Sequence, residues 1–177
     1  MSVVTEAVLA CIGLGSNVGS RVRQLRSAVH RLARHGQISV TAISPVYETA
    51  AHTLDPQEEQ PPFLNAVAVV RTTLPPRALL RVCHRLERAA GRRRTRRWAP
   101  RPLDLDVLTY GLRSIQSRAL TLPHPRVHER RFVLQPWADV TPNLRVPAPF
   151  DETVYSLLNQ CSDDSPVTRT DHALPSF

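Results

Sequence analysis

Lysine is missing from this sequence of 177 residues, whose 23 basic side chains are all arginines. Its absence excludes a lysine Schiff base and the lysine of a P-loop. Cysteine is scarce: Cys11, Cys83 and Cys161 lie far apart without Cys-x-x-Cys spacing, which argues against a disulfide framework or a zinc site. No apolar run approaches the ~18 residues of a membrane span, and no basic leader precedes Glu6. We therefore expect a protein of the reducing cytoplasm that does not bind membranes.

Length and composition predict one globular domain. The hydrophobic fraction of 42% and the charged fraction of 21% are ordinary for a folded protein, and 177 residues can bury a core. We predict a single domain over residues 1–161, followed by a polar and flexible tail over residues 162–177.

The hydrophobic pattern predicts the element order β-α-β-β-α-β. The strands are expected over residues 7–14, 37–47, 63–72 and 103–110, and the helices over residues 21–36 and 75–91. This order is typical of the ferredoxin-like, split βαβ arrangement of the α+β class, in which helices pack on one side of an antiparallel sheet. A hairpin-like segment to residue 122 and short helices near residues 132–139 and 154–160 should follow it.

The charge of the chain is concentrated in one segment. Between Arg85 and Arg101 the sequence holds eight arginines and a single acidic residue, Glu87, and it then reads Asp104-Leu105-Asp106. Guanidinium groups bind phosphate oxygens, and paired carboxylates bind the divalent cation that accompanies a polyphosphate. The order of charges therefore predicts a polyphosphate site.

The two aspartates lie two positions apart on a predicted strand, so both side chains should face the same way. Mg²⁺ commonly takes one or two protein carboxylates and completes its shell with water and phosphate. An isolated Asp-x-Asp is more often a solvated polar face, and the neighbouring arginines shift the preference towards a metal site. Gly13-Leu14-Gly15-Ser16-Asn17 lacks the remaining P-loop residues, and we interpret it as a tight structural turn with little chance of contacting a ligand.

Four motifs together resemble the 6-hydroxymethyl-7,8-dihydropterin pyrophosphokinases of folate biosynthesis, over residues 8–147. They are the opening Gly-Ser-Asn, Phe-Leu-Asn in the predicted third strand, Arg-Trp-x-Pro-Arg-x-x-Asp-x-Asp, and Pro-His-Pro-Arg followed by Glu-Arg-x-Phe-Val-Leu-x-Pro. The resemblance implies an enzyme that transfers the pyrophosphoryl group of ATP to the hydroxymethyl group of the pterin and releases AMP. It also implies two Mg²⁺ ions, held by Asp104 and Asp106.

The same resemblance implies roles for further residues. The expected catalytic set is Arg92, Arg94, Arg101, Asp104 and Asp106. The expected ATP contacts are His84, Glu87, Arg92, Arg94, Trp98, Arg101, Val107, Thr121, His124 and Arg130. The expected pterin contacts are Thr49, Phe63, Asn65, Trp98 and Phe132. We also expect the segments 48–62 and 92–101 to close over the two substrates.

Two other interpretations stay open at this stage. A net charge of +8 with clustered arginine is also the footprint of a nucleic-acid-binding module. Against it, aromatic residues make up only 5% of the chain, and Asp104 and Asp106 would repel a phosphate polymer in the absence of metal. A protein of the same fold that binds pterin or nucleotide without catalysis is the other possibility. Nucleic acid is not the expected partner, and a monomer is the expected state, although an oligomer stays possible.

Overall fold

The computed structural model describes residues 6–51, 57–92 and 99–177. Its helices and strands follow in chain order. The first half contains β1 (Val8–Ser16), α1 (Arg21–Ala33), β2 (Ile38–Ile43), β3 (Tyr47–Thr49), β4 (Phe63–Thr72), α2 (Pro76–Ala89) and β5 (Asp104–Tyr110). The second half contains β6 (Ile115–Gln116), β7 (Thr121–Leu122), a 3₁₀ turn (Val127–Glu129), α3 (Arg131–Val140), β8 (Arg145–Val146), β9 (Glu152–Thr153), α4 (Val154–Gln160) and β10 (Thr168–Arg169).

The main sheet is antiparallel and is organised around β1. The strands run in the order β10-β3-β4-β1-β5, and β2 also pairs with β4. The β1–β4 ladder extends from the pair Val8 and Thr72 to the pair Ser16 and Leu64, while β5 pairs with the other edge of β1. The sequence prediction of a mixed α and β protein with an antiparallel sheet is confirmed.

Helices cover both faces of this sheet. On one face, α1 and α2 pack through residues such as Leu25 and Leu79 against β1, β4 and β5. On the other face, α3 and α4 pack through Leu134, Trp137 and Leu157. The sequence prediction placed the two helices of the β-α-β-β-α-β order on one side of the sheet and gave no face for the later short helices. β4 reads as an almost continuous apolar run, and both of its faces are buried. Among the helices of the described residues, none is both long and apolar enough to cross a bilayer.

The predicted second strand over residues 37–47 is divided into two short strands. Pro45 lacks the N–H that a continuous ladder of hydrogen bonds needs. The first strand therefore ends at Ile43, and the second begins at Tyr47. Ser44 bridges the gap, since its N–H donates to the carbonyl of Val67 at 2.9 Å and its Oγ accepts from the N–H of Val67 at 2.8 Å. The ladder resumes with β3, whose last residue, Thr49, then lies opposite Phe63.

The C-terminal segment lies against the domain. Its short strand β10 pairs with β3, and Thr170 donates to the carbonyl of Val46 both from its N–H and from its hydroxyl, each at 2.9 Å. Further along, Arg26 donates to the carbonyl of Ala173 at 3.0 Å. The expectation that residues 162–177 are flexible concerns motion, and it stays a prediction.

We predict that the three free thiols differ strongly in reactivity. Burial raises the pKa of Cys11 to about 11 and that of Cys83 to about 12, so both stay protonated at pH 8, whereas Cys161 is half-buried. Only thiolates react rapidly with disulfide reagents. In titrations with a chromogenic disulfide at pH 8, the native protein should therefore react quickly at Cys161 alone, and at all its cysteines after denaturation. The C161S variant should lack the fast phase, and a fast phase from two cysteines in the native protein would contradict this packing.

Candidate active site

A cavity of about 520 Å³ lies between the ends of β1, β4 and β5, the start of α3 and the turn before it. It brings together most of the predicted site. The predicted phosphate and metal residues on its wall are Arg92, Arg101, Asp104, Asp106, His124 and Arg130, and the predicted pterin residues there are Thr49, Phe63, Asn65 and Phe132.

Two carboxylates on β5 form the floor of the charged half. Asp104 and Asp106 both face the cavity, whereas Leu105 and Val107 between and after them are buried in the core, as the alternation of a strand predicts. This placement depends on the pairing of β5 with β1, in which Asp104 lies opposite Gly15 and Asp106 opposite Gly13. The strand therefore fixes the spacing of the two carboxylates.

Arginines from separate segments contact these carboxylates. Arg92 follows α2 and forms short ion pairs with both Asp104 and Glu87. Arg101 precedes β5, with its guanidinium 3.3 Å from Asp104. Arg130 precedes α3 and donates to Asp106 at 3.1 Å. Pairs of opposite charge thus connect these segments around the cavity.

Glu87 lies beneath the cavity and supports it from α2. The residue is 3% exposed, and its Oε1 accepts from the N–H of Leu105 at 2.9 Å as well as pairing with Arg92. Burial raises the pKa of Glu87, while the Leu105 N–H and the charge of Arg92 oppose that shift. Glu87 therefore positions Arg92 and the start of β5.

His124 adds a neutral hydrogen-bond donor. Burial, followed by the charge of Arg130, lowers the pKa of His124. Its Nδ1 accepts from the N–H of Arg126 at 3.2 Å, which in the neutral ring assigns the proton to Nε2. That Nε2 lies 3.9 Å from Asp106, so the ring can donate into the charged half of the cavity.

The other half of the cavity combines aromatic rings with an amide and a hydroxyl. Asn65 on β4 donates to the hydroxyl of Thr49 at 2.8 Å, and both side chains are buried. Phe63 and Phe132 reach this region from β4 and α3, and the guanidinium of Arg101 lies 5.4 Å from the centre of the Phe63 ring. A flat polar ring needs aromatic faces and in-plane hydrogen bonds of this kind.

Gly15 belongs to the wall between the two halves. The sequence interpretation of Gly13-Leu14-Gly15-Ser16-Asn17 as a turn is wrong for its first four residues, which lie in β1, and the first three of these line the cavity. A Cβ at position 15 would lie 3.3 Å from the Asn65 Oδ1 and 3.6 Å from the Phe63 ring. The close approach of the Asn65 side chain therefore favours glycine here, since a Cβ would require Asn65 to shift by a few tenths of an ångström.

Some predicted ATP contacts lie elsewhere. Glu87 and Val107 are buried and do not line the cavity, and their contact with ATP stays a prediction. His84 and Thr121 do not line the cavity either, and their contact with a nucleotide stays a prediction. Arg94 and Trp98 fall outside the described residues, as do parts of the two segments expected to close over the substrates.

The structure also adds residues that sequence reasoning missed. Asn17, 1% exposed at the end of β1, accepts from the N–H of Arg101 at 2.8 Å and donates to the carbonyl of Pro61 at 3.2 Å. It thus joins the flanks of both segments expected to close. Asp163 lines the cavity from the C-terminal segment. The Gly-Ser-Asn motif was a signal for Asn17, whereas nothing in the local sequence marks Asp163.

Fold and cavity together define a class, the mixed α and β proteins that hold arginines against paired carboxylates at the end of a sheet, an arrangement suited to phosphoryl transfer. A family model described as 7,8-dihydro-6-hydroxymethylpterin-pyrophosphokinase (HPPK) matches residues 11–142. The chain belongs to this family.

Individual relatives agree with that assignment. The 2-amino-4-hydroxy-6-hydroxymethyldihydropteridine pyrophosphokinase of Bacillus subtilis (strain 168) is 41% identical over 147 residues, covering 82% of this chain and 85% of the relative. A protein of the same name from Methylorubrum extorquens is 44% identical over 135 residues, covering 76% of this chain and 84% of the relative.

Solved structures support the fold. A bifunctional HPPK-DHPS in complex with substrates superposes with a TM-score of 0.68 at 14% identity, over 88% of this chain. A Plasmodium falciparum HPPK-DHPS gives a TM-score of 0.67 at 17% identity. This chain covers only 43% of the first structure and 44% of the second, so the likeness concerns one part of each.

We predict opposite effects for two replacements of Glu87. Because its pKa is raised in the folded state, its stabilising contribution is present below the ordinary carboxyl pKa and is lost as the pH rises through the raised value. Glu87→Gln keeps an acceptor for Leu105 and should remove this loss, while Arg92 keeps its ion pair with Asp104. The free energy of unfolding at pH 7 should therefore be at or above that of the wild type. Glu87→Ala leaves a buried N–H without an acceptor and should cost about 1–3 kcal/mol.

Urea unfolding of both variants between pH 4 and pH 8 measures the difference. A glutamine variant that is destabilised at pH 7 as much as the alanine variant would contradict the assignment of Glu87 as a buried acceptor.

Proposed function

We propose that this chain transfers the pyrophosphoryl group of ATP to the hydroxymethyl group of 6-hydroxymethyl-7,8-dihydropterin, giving the pterin diphosphate and AMP, as a step of folate biosynthesis. One observation carries the proposal. A single cavity combines arginine and aspartate pairs, suited to a polyphosphate with its cation, with a polar and aromatic half suited to a pterin. Membership of the pyrophosphokinase family agrees with this reading.

In the proposed reaction, the arginines of the charged half exchange the aspartates for the phosphate groups of ATP. Arg92, Arg101 and Arg130 would pass from the aspartates to phosphate oxygens of ATP, where they neutralise charge that develops during transfer. Arg101 is prepared for this step, because within the described part of the chain its Nε is buried without a hydrogen-bond partner. The β,γ-pyrophosphoryl group then moves to the pterin oxygen, and AMP leaves.

Asp104 and Asp106 fit Mg²⁺ by their chemistry. They are hard carboxylate ligands on one face of a strand, and the arginine contacts show that their oxygens are accessible from the cavity. In the described ranges, no group of three or more His, Cys, Asp or Glu side chains could hold a metal. Such a pair suits a cation that takes its other ligands from water and phosphate. Two bound Mg²⁺ ions would supply charge neutralisation at the transferring phosphates.

The remaining residues would orient the substrates. His124 would donate from Nε2 to a phosphate oxygen, next to Arg130. Asn65 and Thr49 would bind the edge of the pterin, and Phe63 and Phe132 would contact its faces. Catalysis would then depend on positioning and charge, since among the described residues of the cavity wall no side chain stands out as a general base. Arg94, Trp98, His84 and Thr121 stay in the proposed site on the resemblance alone.

The topology of the core, the domain bounds, the oligomeric state and the cellular compartment are also proposed. The neighbour order β5-β1-β4-β2 supports a ferredoxin-like core, extended by β3, β10 and the C-terminal helices. We propose a single domain over residues 1–161 and a monomer. Unpaired thiols support a reducing cytoplasm. Nucleic acid is not proposed as a partner.

AMP formation tests the proposed function. Purified protein with ATP, Mg²⁺ and the pterin should form AMP, separated by chromatography, and controls without pterin or without metal should not. ADP in place of AMP, or no product from folded protein, would contradict pyrophosphoryl transfer. Binding of RNA or DNA with a steep salt dependence and no effect of EDTA would favour the nucleic-acid reading instead.

Charge-removing variants test the two aspartates. Asp104→Asn and Asp106→Asn should each lower turnover by about 100-fold or more, since each removes a proposed metal ligand while keeping its size. Far-ultraviolet circular dichroism should show an unchanged fold. Asp164→Asn is the matched control, because that carboxylate is exposed on the C-terminal segment. Turnover like that of the wild type in both active-site variants would contradict the metal assignment.

A further inference from the structure

The polar and aromatic half of the cavity, which we call the pterin half, is formed by Thr49, Phe63, Asn65 and Phe132. It depends on a strand that is short and lies near the edge of the sheet. Strand β3 has only the residues Tyr47–Thr49, yet it carries Thr49, which accepts the hydrogen bond of Asn65. One edge of β3 pairs with β4. A strand of this length has few hydrogen bonds with which to hold its position. Its other edge therefore matters for the site.

The C-terminal segment occupies that other edge. Thr168 pairs with Glu48 and Arg169 with Tyr47, directly beside Thr49, and Thr170 adds two hydrogen bonds to the carbonyl of Val46. The end of the segment is anchored on α1, since Arg26 donates to the carbonyl of Ala173. Its Leu174 packs against the main core. Both flanks of the pairing are thus attached to the domain.

The beginning of the same segment holds the start of α3. The first N–H of that helix, from Arg131, donates to the Asp163 carboxylate at 3.2 Å, while the N-cap residue Arg130 makes no side-chain cap. An acidic group at this end also interacts favourably with the helix dipole. The other Asp163 oxygen accepts from the N–H of Ser165 at 3.0 Å, which fixes the carboxylate. Asp163 itself lies on the cavity wall together with Phe132.

The C-terminal segment contacts both α3 and β3, and these two elements are also bonded to each other. The Tyr47 hydroxyl donates to Asp139 of α3 at 2.6 Å, so β3 and α3 are bonded to each other as well as to the C-terminal segment. The charged half is fixed differently, by Glu87 and Asn17. The family model ends at residue 142, before this segment begins.

We propose that residues 163–177 are a positioning segment for the pterin half of the cavity, in which Asp163 places α3 with Phe132 and Thr170 places β3 with Thr49. The inference rests on the proposed function for the identity of the ligand, and it opposes the expectation of a flexible tail. Loss of these contacts should weaken pterin binding and leave ATP binding nearly unchanged.

Paired substitutions test the segment in the full chain. Asp163→Ala removes the acceptor at α3, Asp163→Asn keeps one, and Asp164→Ala removes a neighbouring exposed carboxylate as the control. Thr170→Pro removes both hydrogen bonds to Val46, and Thr170→Val, which removes only that of the hydroxyl, is the milder variant should the proline variant fail to fold. The affinity for the pterin is measured by fluorescence titration with Mg²⁺ and a non-hydrolysable ATP analogue, and that for the analogue by calorimetry.

We expect Asp163→Ala and Thr170→Pro to weaken pterin binding by about five-fold or more, the size of a lost helix cap, with the affinity for the ATP analogue within about two-fold. Asp163→Asn and Asp164→Ala should bind the pterin like the wild type. Equal weakening of both ligands, or unchanged pterin affinity in both variants, would overturn the proposal.

Amide exchange separates this proposal from the proposed function. If the wild type binds no pterin, the function fails, and the positioning role is then decided by the N–H groups of β3. Faster exchange there in Asp163→Ala and Thr170→Pro supports the positioning segment. Unchanged exchange, or exchange already unprotected in the wild type, overturns it.

Discussion

The pairing of opposite charges around Asp104 and Asp106 is the interaction on which the rest of the site depends. Arg92, Arg101 and Arg130 come from separate parts of the chain and meet the two carboxylates at one end of the sheet. Buried or half-buried ions are stable only when they are paired. The pairs therefore keep the charged half assembled, and they involve the same groups that we propose for binding phosphate and metal.

Strand β1 makes that assembly possible because it pairs with β5 and β4 on its two edges. Its register with β5 places Gly13 and Gly15 opposite the aspartates, and its register with β4 places Gly15 opposite Asn65. The absence of side chains at these glycines leaves room for the cavity, with charge on one side and the pterin half on the other. One strand thus sets the distance between the two proposed substrates.

Sequence reasoning predicted what depends on local pattern. The alternation of Asp104, Leu105 and Asp106 gave the orientation of the carboxylates, and the apolar periodicity gave the helices that pack on the first face of the sheet. It failed where distant contacts decide. Glu87 accepts a hydrogen bond from the N–H of Leu105, and Asp163 accepts one from the first N–H of α3, more than 30 positions away in the sequence. The part of β1 from Gly13 to Gly15 was interpreted as a turn because glycine is frequent in turns and also occurs in strands where another group comes close to the backbone.

In the proposed mechanism, the arginines and the metal exchange places on the aspartates, so that the cation and ATP bind together. Calorimetric titration of Mg²⁺ into the protein, with and without a non-hydrolysable ATP analogue, tests it directly. We predict weak Mg²⁺ binding to the protein alone, where the arginines occupy the carboxylates. Mg²⁺ should bind the complex of protein and analogue at least about ten-fold more tightly than it binds either the protein alone or the analogue alone. Equal affinity of Mg²⁺ for the protein with and without the analogue would contradict it.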